Sequence, residues 1–154
     1  MPDGLLEDLV RKGLLQPKRR DARRVRLWLD RSLMDLEVVA MLTDVDSQRA
    51  MAVAYEAGYR ACAGILDLEG YRVTSQPGHH RAAIDAATVV LGQEHRALLR
   101  RLDRARRFRN DTLYGDVPTV AAKELSQLVK DVRWLLAELE RRLTDAESAE
   151  VPRD

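Results

Sequence analysis

The stretch that decides the fold class is TVAAKELSQLVKDVRWLLAELERRL, residues 119–143. Its apolar residues follow at steps of four, three, four, three and four: Ala121, Leu125, Leu128, Val132, Leu135 and Leu139. This spacing keeps apolar side chains on one face of a helix, as in the a/d seam of packed helices. We predict a long helix from about Thr119 to Leu143, whose seam packs against a helix of the same chain or of another copy.

The rest of the chain is also predicted to be helical, because turn residues concentrate in only two segments, 70–78 and 114–119. The predicted helices are Leu5–Leu15, Arg20–Leu42, Asp46 or Ser47 to Glu69, His79–Leu91 and Glu94 to about Tyr114. We expect an all-α fold, an antiparallel bundle of four long helices with an additional N-terminal helix. The expected parts are an N-terminal extension (1–19), the bundle (20–143) and a polar tail (144–154).

Composition supports one ordinary domain. With 154 residues, 45% hydrophobic and 33% charged, the chain can bury a core and is too apolar for intrinsic disorder. No apolar run reaches the ~20 residues of a membrane span, so we expect a cytoplasmic protein without membrane contact. The lone Cys62 lies among alanines, as a core residue would. No histidine or cysteine spacing matches a metal site, so we predict neither a metal nor a cofactor.

The helix predicted over Arg20–Leu42 is apolar on two sides. One stripe contains Val25, Leu29, Leu36, Val39 and Leu42, and the second contains Leu27, Met34, Val38 and Met41. Such a helix is either central in its bundle or shared with another subunit. Together with the long seam of the last helix, this surplus of apolar surface predicts a homodimer.

Basic charge is concentrated in two stretches, although the net charge is only +1. Residues 11–31 carry nine Lys or Arg against two Asp, and residues 96–109 carry seven Arg against one Asp. Clustered cations are typical of a surface that binds phosphates, although a solvated helix face gives the same pattern. We predict RNA contacts by five arginines of the second stretch: Arg100, Arg101, Arg104, Arg106 and Arg107.

One arginine stands where an apolar residue is expected. On the helix from Glu94, the inward stripe of Leu98, Leu102 and Ala105 continues to Arg109. A buried guanidinium needs a partner or a wet cleft, so Arg109 either belongs to a site or pairs with a carboxylate such as Asp67. Neighbours on the same helix end are Asn110 and, four residues later, Tyr114.

The segment Arg109-Asn110-Asp111-Thr112-Leu113-Tyr114, with the arginine-rich helix before it and Tyr55-Glu56-Ala57-Gly58-Tyr59-Arg60, resembles the HEPN domains of prokaryotic toxin–antitoxin and defence loci. The resemblance covers about residues 20–143. It implies a small helical bundle that dimerises, so that two motifs form one cleft that cuts RNA without metal. It also implies neutralisation by a nucleotidyltransferase-like antitoxin.

Carried to this chain, the resemblance assigns Arg109, Asn110 and Tyr114 to a catalytic site. Tyr114 stands where the family motif has histidine, and a phenol with a pKa near ~10 is a poorer base at neutral pH than imidazole. His80, at the start of a predicted helix, is a candidate substitute proton carrier. Two hypotheses remain open: a ribonuclease toxin, or a catalytically silent module that binds RNA, a nucleotide or a protein partner.

Overall fold

Helices make up most of the fold. The computed structural model describes the backbone of residues 2–114 and 122–150 and the side chains of residues 4–110 and 122–150. These residues form α1 (Pro2–Arg11), α2 (Ala22–Leu42), α3 (Ser47–Leu68), α4 (His79–Leu91), α5 (Arg96–Tyr114) and α6 (Ala122–Glu150). Two short strands, β1 (Leu15–Pro17) and β2 (Tyr71–Val73), pair antiparallel, and a 3-10 turn (Gln93–His95) precedes α5. The predominantly helical fold that the sequence predicts is confirmed.

Helix α3 is central, because it packs against α2, α4, α5 and α6. Its small residues Ala54, Ala57 and Ala61 are fully buried. A Cβ atom on Gly58 would lie 2.8 Å from Leu102 Cδ1 and 3.1 Å from a Val132 methyl group. The missing side chain at Gly58 therefore lets α5 and α6 approach α3 closely.

The seam of α6 is occupied within this chain. Its leucines and valine are buried in the main core: Leu125, Leu128, Val132, Leu135 and Leu139. The helix also continues past its predicted end at Leu143 to Glu150, which places residues 144–150 of the predicted tail in α6. Ala146 extends the buried face, and Glu147 and Glu150 form ion pairs with Arg26 and Arg20. Residues 144–150 are mostly polar because most of them lie on the exposed side of a packed helix.

The N-terminal segment is less helical than predicted. Helix α1 ends at Arg11 instead of Leu15, and β1 pairs with β2 in the register Leu15↔Val73. Three-residue strands are too short to show an alternating pattern, so the sequence did not indicate them. A second apolar cluster joins α1, β1, the end of α3 and α4: Leu9, Leu15, Leu66, Ala82, Ala83 and Ala86. This cluster holds the first turns of α4 against the N-terminal segment.

No described helix has both the length and the apolar composition needed to cross a membrane.

Candidate functional site

A cavity of about 260 Å³ lies where α4 begins and α5 approaches its end. Its lining residues are Ser75, Pro77, Gly78, His79, His80, Arg81, Arg106, Arg109 and Asn110. Gly78 has a φ of +86°, a left-handed conformation that favours glycine, and it turns the chain into α4. Two imidazoles and three guanidinium groups thus border one space, and its described lining includes no carboxylate.

Arg109 lies at this cavity and contacts α3. Its Nη2 atom forms an ion pair with Glu56 Oε1 at 2.8 Å, and its guanidinium carbon is 5.9 Å from the centre of the Tyr55 ring. The side chains of Arg109 and Glu56 are 32% and 34% exposed. The inward stripe is confirmed at Leu102 and Ala105, both buried, so Arg109 extends an apolar face to the edge of the core.

Asp67, suggested by the sequence as a partner for Arg109, is engaged elsewhere. Lys18 binds one of its carboxylate oxygens, and the backbone N–H of Asp21 donates to the other at 2.8 Å. That suggestion was wrong because Asp67 lies at the far end of α3, next to the chain entering α2. The actual partner, Glu56, had one sequence signal: it is a carboxylate within the small-residue region of α3.

His80 is held by two tyrosines of α3. Its Nδ1 atom lies 2.7 Å from the Tyr55 hydroxyl oxygen, and its ring stacks on Tyr59 with ring centres 4.1 Å apart. Burial, followed by the positive charges of His79, Arg109 and Arg106, lowers the pKa of His80 to about 4. Burial raises the pKa of Tyr55 and raises that of Tyr59 to about 12. At neutral pH, the imidazole is therefore uncharged and both phenols are protonated.

The imidazole can serve either role in a hydrogen bond. If Nδ1–H donates to Tyr55, Nε2 keeps a lone pair that can accept a proton. If the Tyr55 hydroxyl donates to Nδ1, Nε2 carries the hydrogen and can donate it. A neutral His80 beside cationic Arg106 and Arg109 is suited to an anionic ligand that also carries a hydroxyl group.

Arg106 is fixed at the cavity by a neighbour on its own helix. It donates through Nε to Asp103 Oδ1 at 2.8 Å, and Arg107 donates to the other oxygen at 3.1 Å. Burial raises the pKa of Asp103, but the hydrogen bond from Arg106 and the nearby arginine charges outweigh it, so the pKa is lowered. Exposed Asn110 completes this edge, whereas the side chain of Tyr114 lies outside the described residues.

The five arginines predicted to bind RNA do not share one surface. Arg106 faces the His80 cavity, whereas Arg101, Arg104 and Arg107 line a larger cavity of about 650 Å³ formed by α3, α5 and α6. Arg101 is also bound to Asp131, and Arg100 is exposed on α5 without lining either cavity. The five predicted arginines therefore lie on more than one face of α5.

The first basic stretch is largely matched by acids of the same chain. Its ion pairs join Lys18 to Asp67, Arg20 to Glu150, Arg24 to Asp21, Arg26 to Glu147 and Arg31 to Asp35. Two of these pairs, Arg20–Glu150 and Arg26–Glu147, connect the start of α2 and the residues before it to the end of α6. This stretch therefore has an internal role that its sequence did not indicate.

No group of three or more potential metal ligands occurs among the residues that the structure describes. Comparisons with family models, curated proteins and solved structures give no match to this chain.

Proposed function

We propose that this chain binds RNA at the His80–Arg109 cavity and cuts it without a metal ion, as a HEPN-type toxin of a toxin–antitoxin or defence system. The observation that carries the proposal is the convergence of His80, Arg106, Arg109 and Asn110 on one cavity. Three of these four residues come from the arginine-rich helix whose sequence resembles the HEPN motif. His80 is brought to them by the turn at Gly78.

The proposed chemistry is transfer of the RNA phosphodiester to its own 2′-hydroxyl. The 2′-oxygen forms a bond to phosphorus while the bond to the 5′-oxygen breaks, and the 2′ proton moves to a base as the leaving oxygen gains a proton. Neutral His80 is the proposed base, and Arg106 and Arg109 stabilise the additional charge on the phosphate oxygens. Asn110 is proposed to hydrogen-bond the phosphate, and Tyr114, the third residue of the predicted catalytic set, is the proposed donor of a proton to the leaving oxygen.

The cavity already lowers the pKa of His80, in part through the charges of Arg106 and Arg109. A phosphate anion bound there offsets these charges, so it raises the pKa of His80 towards its ordinary value near ~6.5. RNA binding itself would therefore bring the imidazole closer to the range in which it both accepts and releases a proton.

The same proposal includes the finer features implied by the HEPN resemblance. These are an antiparallel arrangement of the four long helices, a homodimer in which two motifs share a cleft, and a nucleotidyltransferase-like antitoxin as partner. Finding a gene for such an antitoxin next to the gene of this protein would support the toxin setting.

The experiment compares RNA cleavage and RNA binding in EDTA for wild type, Arg109→Ala and His80→Ala. Loss of a group that stabilises the transition state costs on the order of 100-fold in rate, so both variants should cleave at least that much more slowly. Arg133→Ala is the matched control, because Arg133 is exposed on α6 and does not line the cavity. Equal cleavage by Arg109→Ala and Arg133→Ala would contradict the assignment.

A second function, a silent module that binds RNA without cutting it, is favoured by one observation. A His80 pKa of about 4 makes the imidazole a weak base. Under this function, wild type binds RNA and cleaves none of it, and Arg109→Ala weakens binding only. Inorganic phosphate that leaves the NMR titration of His80 unchanged would count against both functions.

A further inference from the structure

The large apolar side chains that are exposed lie almost entirely on one helix. Of the seven among the described residues, six belong to α2 or to the turn after it: Leu27, Leu33, Met34, Val38, Met41 and Val45. Met41 and Val45 are 77% and 82% exposed. Monomeric proteins rarely leave such a concentration of apolar surface in water, so this face indicates an interface.

Five of these residues form a continuous row. Leu27, Met34, Val38 and Met41 follow at steps of seven, four and three, which places them on one side of the helix, and Val45 follows four residues later in the turn after it. We name this row the α2 stripe. The buried residues of α2 include Val25, Leu29, Leu36 and Val39, and they lie on the opposite side. The α2 stripe is therefore not used by the core of its own chain.

The charges beside the α2 stripe differ between its two ends. Arg23, Arg24 and Arg31 outnumber Asp30 in the N-terminal half, whereas Glu37 lies in the C-terminal half and Asp44 in the turn that follows, all of them exposed. A second copy laid parallel to the first would bring like charges together. A second copy laid antiparallel would bring the basic half of each helix against the acidic half of the other.

The antiparallel register can be read from the sequence. With a two-fold axis at Met34, Leu27 faces Met41 of the other copy, and Arg31 faces its Glu37. At the end of the row, Arg24 faces Asp44 in the same way. Leu27, Met34 and Met41 thus meet apolar residues, and Arg24 and Arg31 meet acids. Val38 and Val45 lie opposite Asp30 and Arg23 of the other copy, so the apolar contact is concentrated between Leu27 and Met41.

Ion pairs within each copy leave these arginines able to bind the other copy. Arg31 Nε lies 3.6 Å from Asp35 and Arg24 Nε lies 3.8 Å from Asp21, which are loose contacts for guanidinium groups with five donors each. The side chains of Arg31 and Arg24 are 66% and 46% exposed.

We propose that the α2 stripe is the interface of a homodimer, in which the α2 helices of two copies lie antiparallel about a two-fold axis at Met34. This inference names a surface and an orientation, and it rests on α2 alone. It therefore goes beyond the proposed function, and an inactive protein can still form this dimer.

Cysteine cross-linking tests the orientation, since Cys62 is fully buried and does not compete. Met34→Cys should form a disulfide-linked dimer under mild oxidation, because each copy places this residue at the axis. Leu27→Cys should remain largely uncross-linked, because its two copies are far apart in an antiparallel pair. Leu33→Cys is the matched control, since it is an exposed apolar position outside the row.

Each outcome of the cross-linking experiment decides the proposal. Fast cross-linking of Met34→Cys alone supports it. Cross-linking of Leu27→Cys at the same rate or faster indicates a parallel pair and overturns it. Equal rates for Met34→Cys and Leu33→Cys indicate random collision and also overturn it, as does a wild-type mass of 17.5 kDa by light scattering at high protein concentration.

Charge exchange supplies an independent measurement. Arg31→Glu and Glu37→Arg should each weaken the dimer about tenfold, because each change places like charges together twice in a symmetric pair. The double variant should regain most of the wild-type affinity, since every pair is again of opposite sign. A double variant weaker than both single variants would overturn the antiparallel register. RNA binding, measured on the same proteins, reports separately on the His80–Arg109 cavity.

Discussion

Arg101 and Arg109 lie eight residues apart on α5, and each forms an ion pair with a carboxylate of a neighbouring helix. Arg101 binds both oxygens of Asp131, at 2.6 and 2.9 Å, and Asp131 is 4% exposed and also accepts from Gln127. Arg109 Nη2 lies 2.8 Å from one oxygen of Glu56, both side chains remain about one-third exposed, and Arg109 lines a cavity. The Arg101–Asp131 pair is therefore closed to water at its carboxylate, whereas the Arg109–Glu56 pair is open to the cavity.

This difference separates a structural pair from a candidate binding pair. The Arg101–Asp131 pair is bidentate and its carboxylate is removed from water, so Asp131 depends on Arg101, although the Arg101 side chain itself is 39% exposed. Glu56 can be replaced as a partner of Arg109 by an anion that enters the cavity, because neither group needs the other to avoid a buried charge. The predictions below test this contrast, from the largest expected effect to the smallest.

The largest effect is expected for Arg101→Ala. It leaves the carboxylate of Asp131 buried with only the hydrogen bond from Gln127, and an unpaired buried charge costs about 3 kcal/mol or more. Urea unfolding should therefore show a loss of about 3 kcal/mol in the free energy of unfolding. The double variant Arg101→Ala/Asp131→Leu should recover part of this loss, since it removes the carboxylate as well. A loss below about 1 kcal/mol for Arg101→Ala would place this pair with ordinary surface pairs.

The local features of this fold could be predicted from the sequence, because the spacing of apolar residues along a helix repeats every three or four residues. The seam of α6 and the start of α4 at His79 follow from local spacing, and both are confirmed. The partner of Arg109 could not be predicted, because Glu56 and Asp67 lie on the same helix and only the packing of α3 against α5 distinguishes them.

The same reasoning explains the pairing of β1 with β2 and the last turns of α6. Both depend on residues far away in the chain: Leu15 pairs with Val73, and Glu147 with Arg26. The position of His80 beside Tyr55 also depends on this long-range pairing, because β2 leads into α4. The sequence therefore named His80 and the arginine helix as candidates, but it did not predict that Tyr55 and Tyr59 hold His80 beside Arg109.

A smaller effect is expected in the pH dependence of stability. The pKa of His80 in the folded chain, about 4, lies below its ordinary value of about 6.5, so the unfolded chain takes up a proton first as the pH falls. The contribution of neutral His80 is present above pH ~6.5 and is lost as the pH falls towards ~4. Because the side chain is only half-buried, we expect a loss of about 1 kcal/mol. His80→Gln should lose less stability than wild type over this interval, as urea unfolding at a series of pH values measures.

Glu56→Gln is expected to strengthen anion binding by about threefold to tenfold. The change removes the negative charge that offsets Arg109 and keeps the shape of the side chain, and a partly exposed charge pair at this distance is worth roughly 1 kcal/mol. Titration with a short RNA at low salt measures the effect, and Glu140→Gln, exposed on α6 and lining neither arginine-bordered cavity, is the control. Unchanged or weaker RNA binding by Glu56→Gln would show that Arg109 does not meet the ligand.

The smallest effect is expected for the stability of Arg109→Ala. Its guanidinium contacts Glu56 and the Tyr55 ring, but Glu56 returns to water when the arginine is removed, so the free energy of unfolding should fall by less than about 1 kcal/mol. The coupling energy between Arg109→Ala and Glu56→Gln, measured with both single variants and the double variant, should be about 0.5 kcal/mol. Measured beside Arg101→Ala under the same conditions, this value compares the open and closed pairs directly. A coupling energy of about 3 kcal/mol would make Arg109 a structural residue of the same kind as Arg101. Arg109 would then not be available to bind a ligand in the His80–Arg109 cavity.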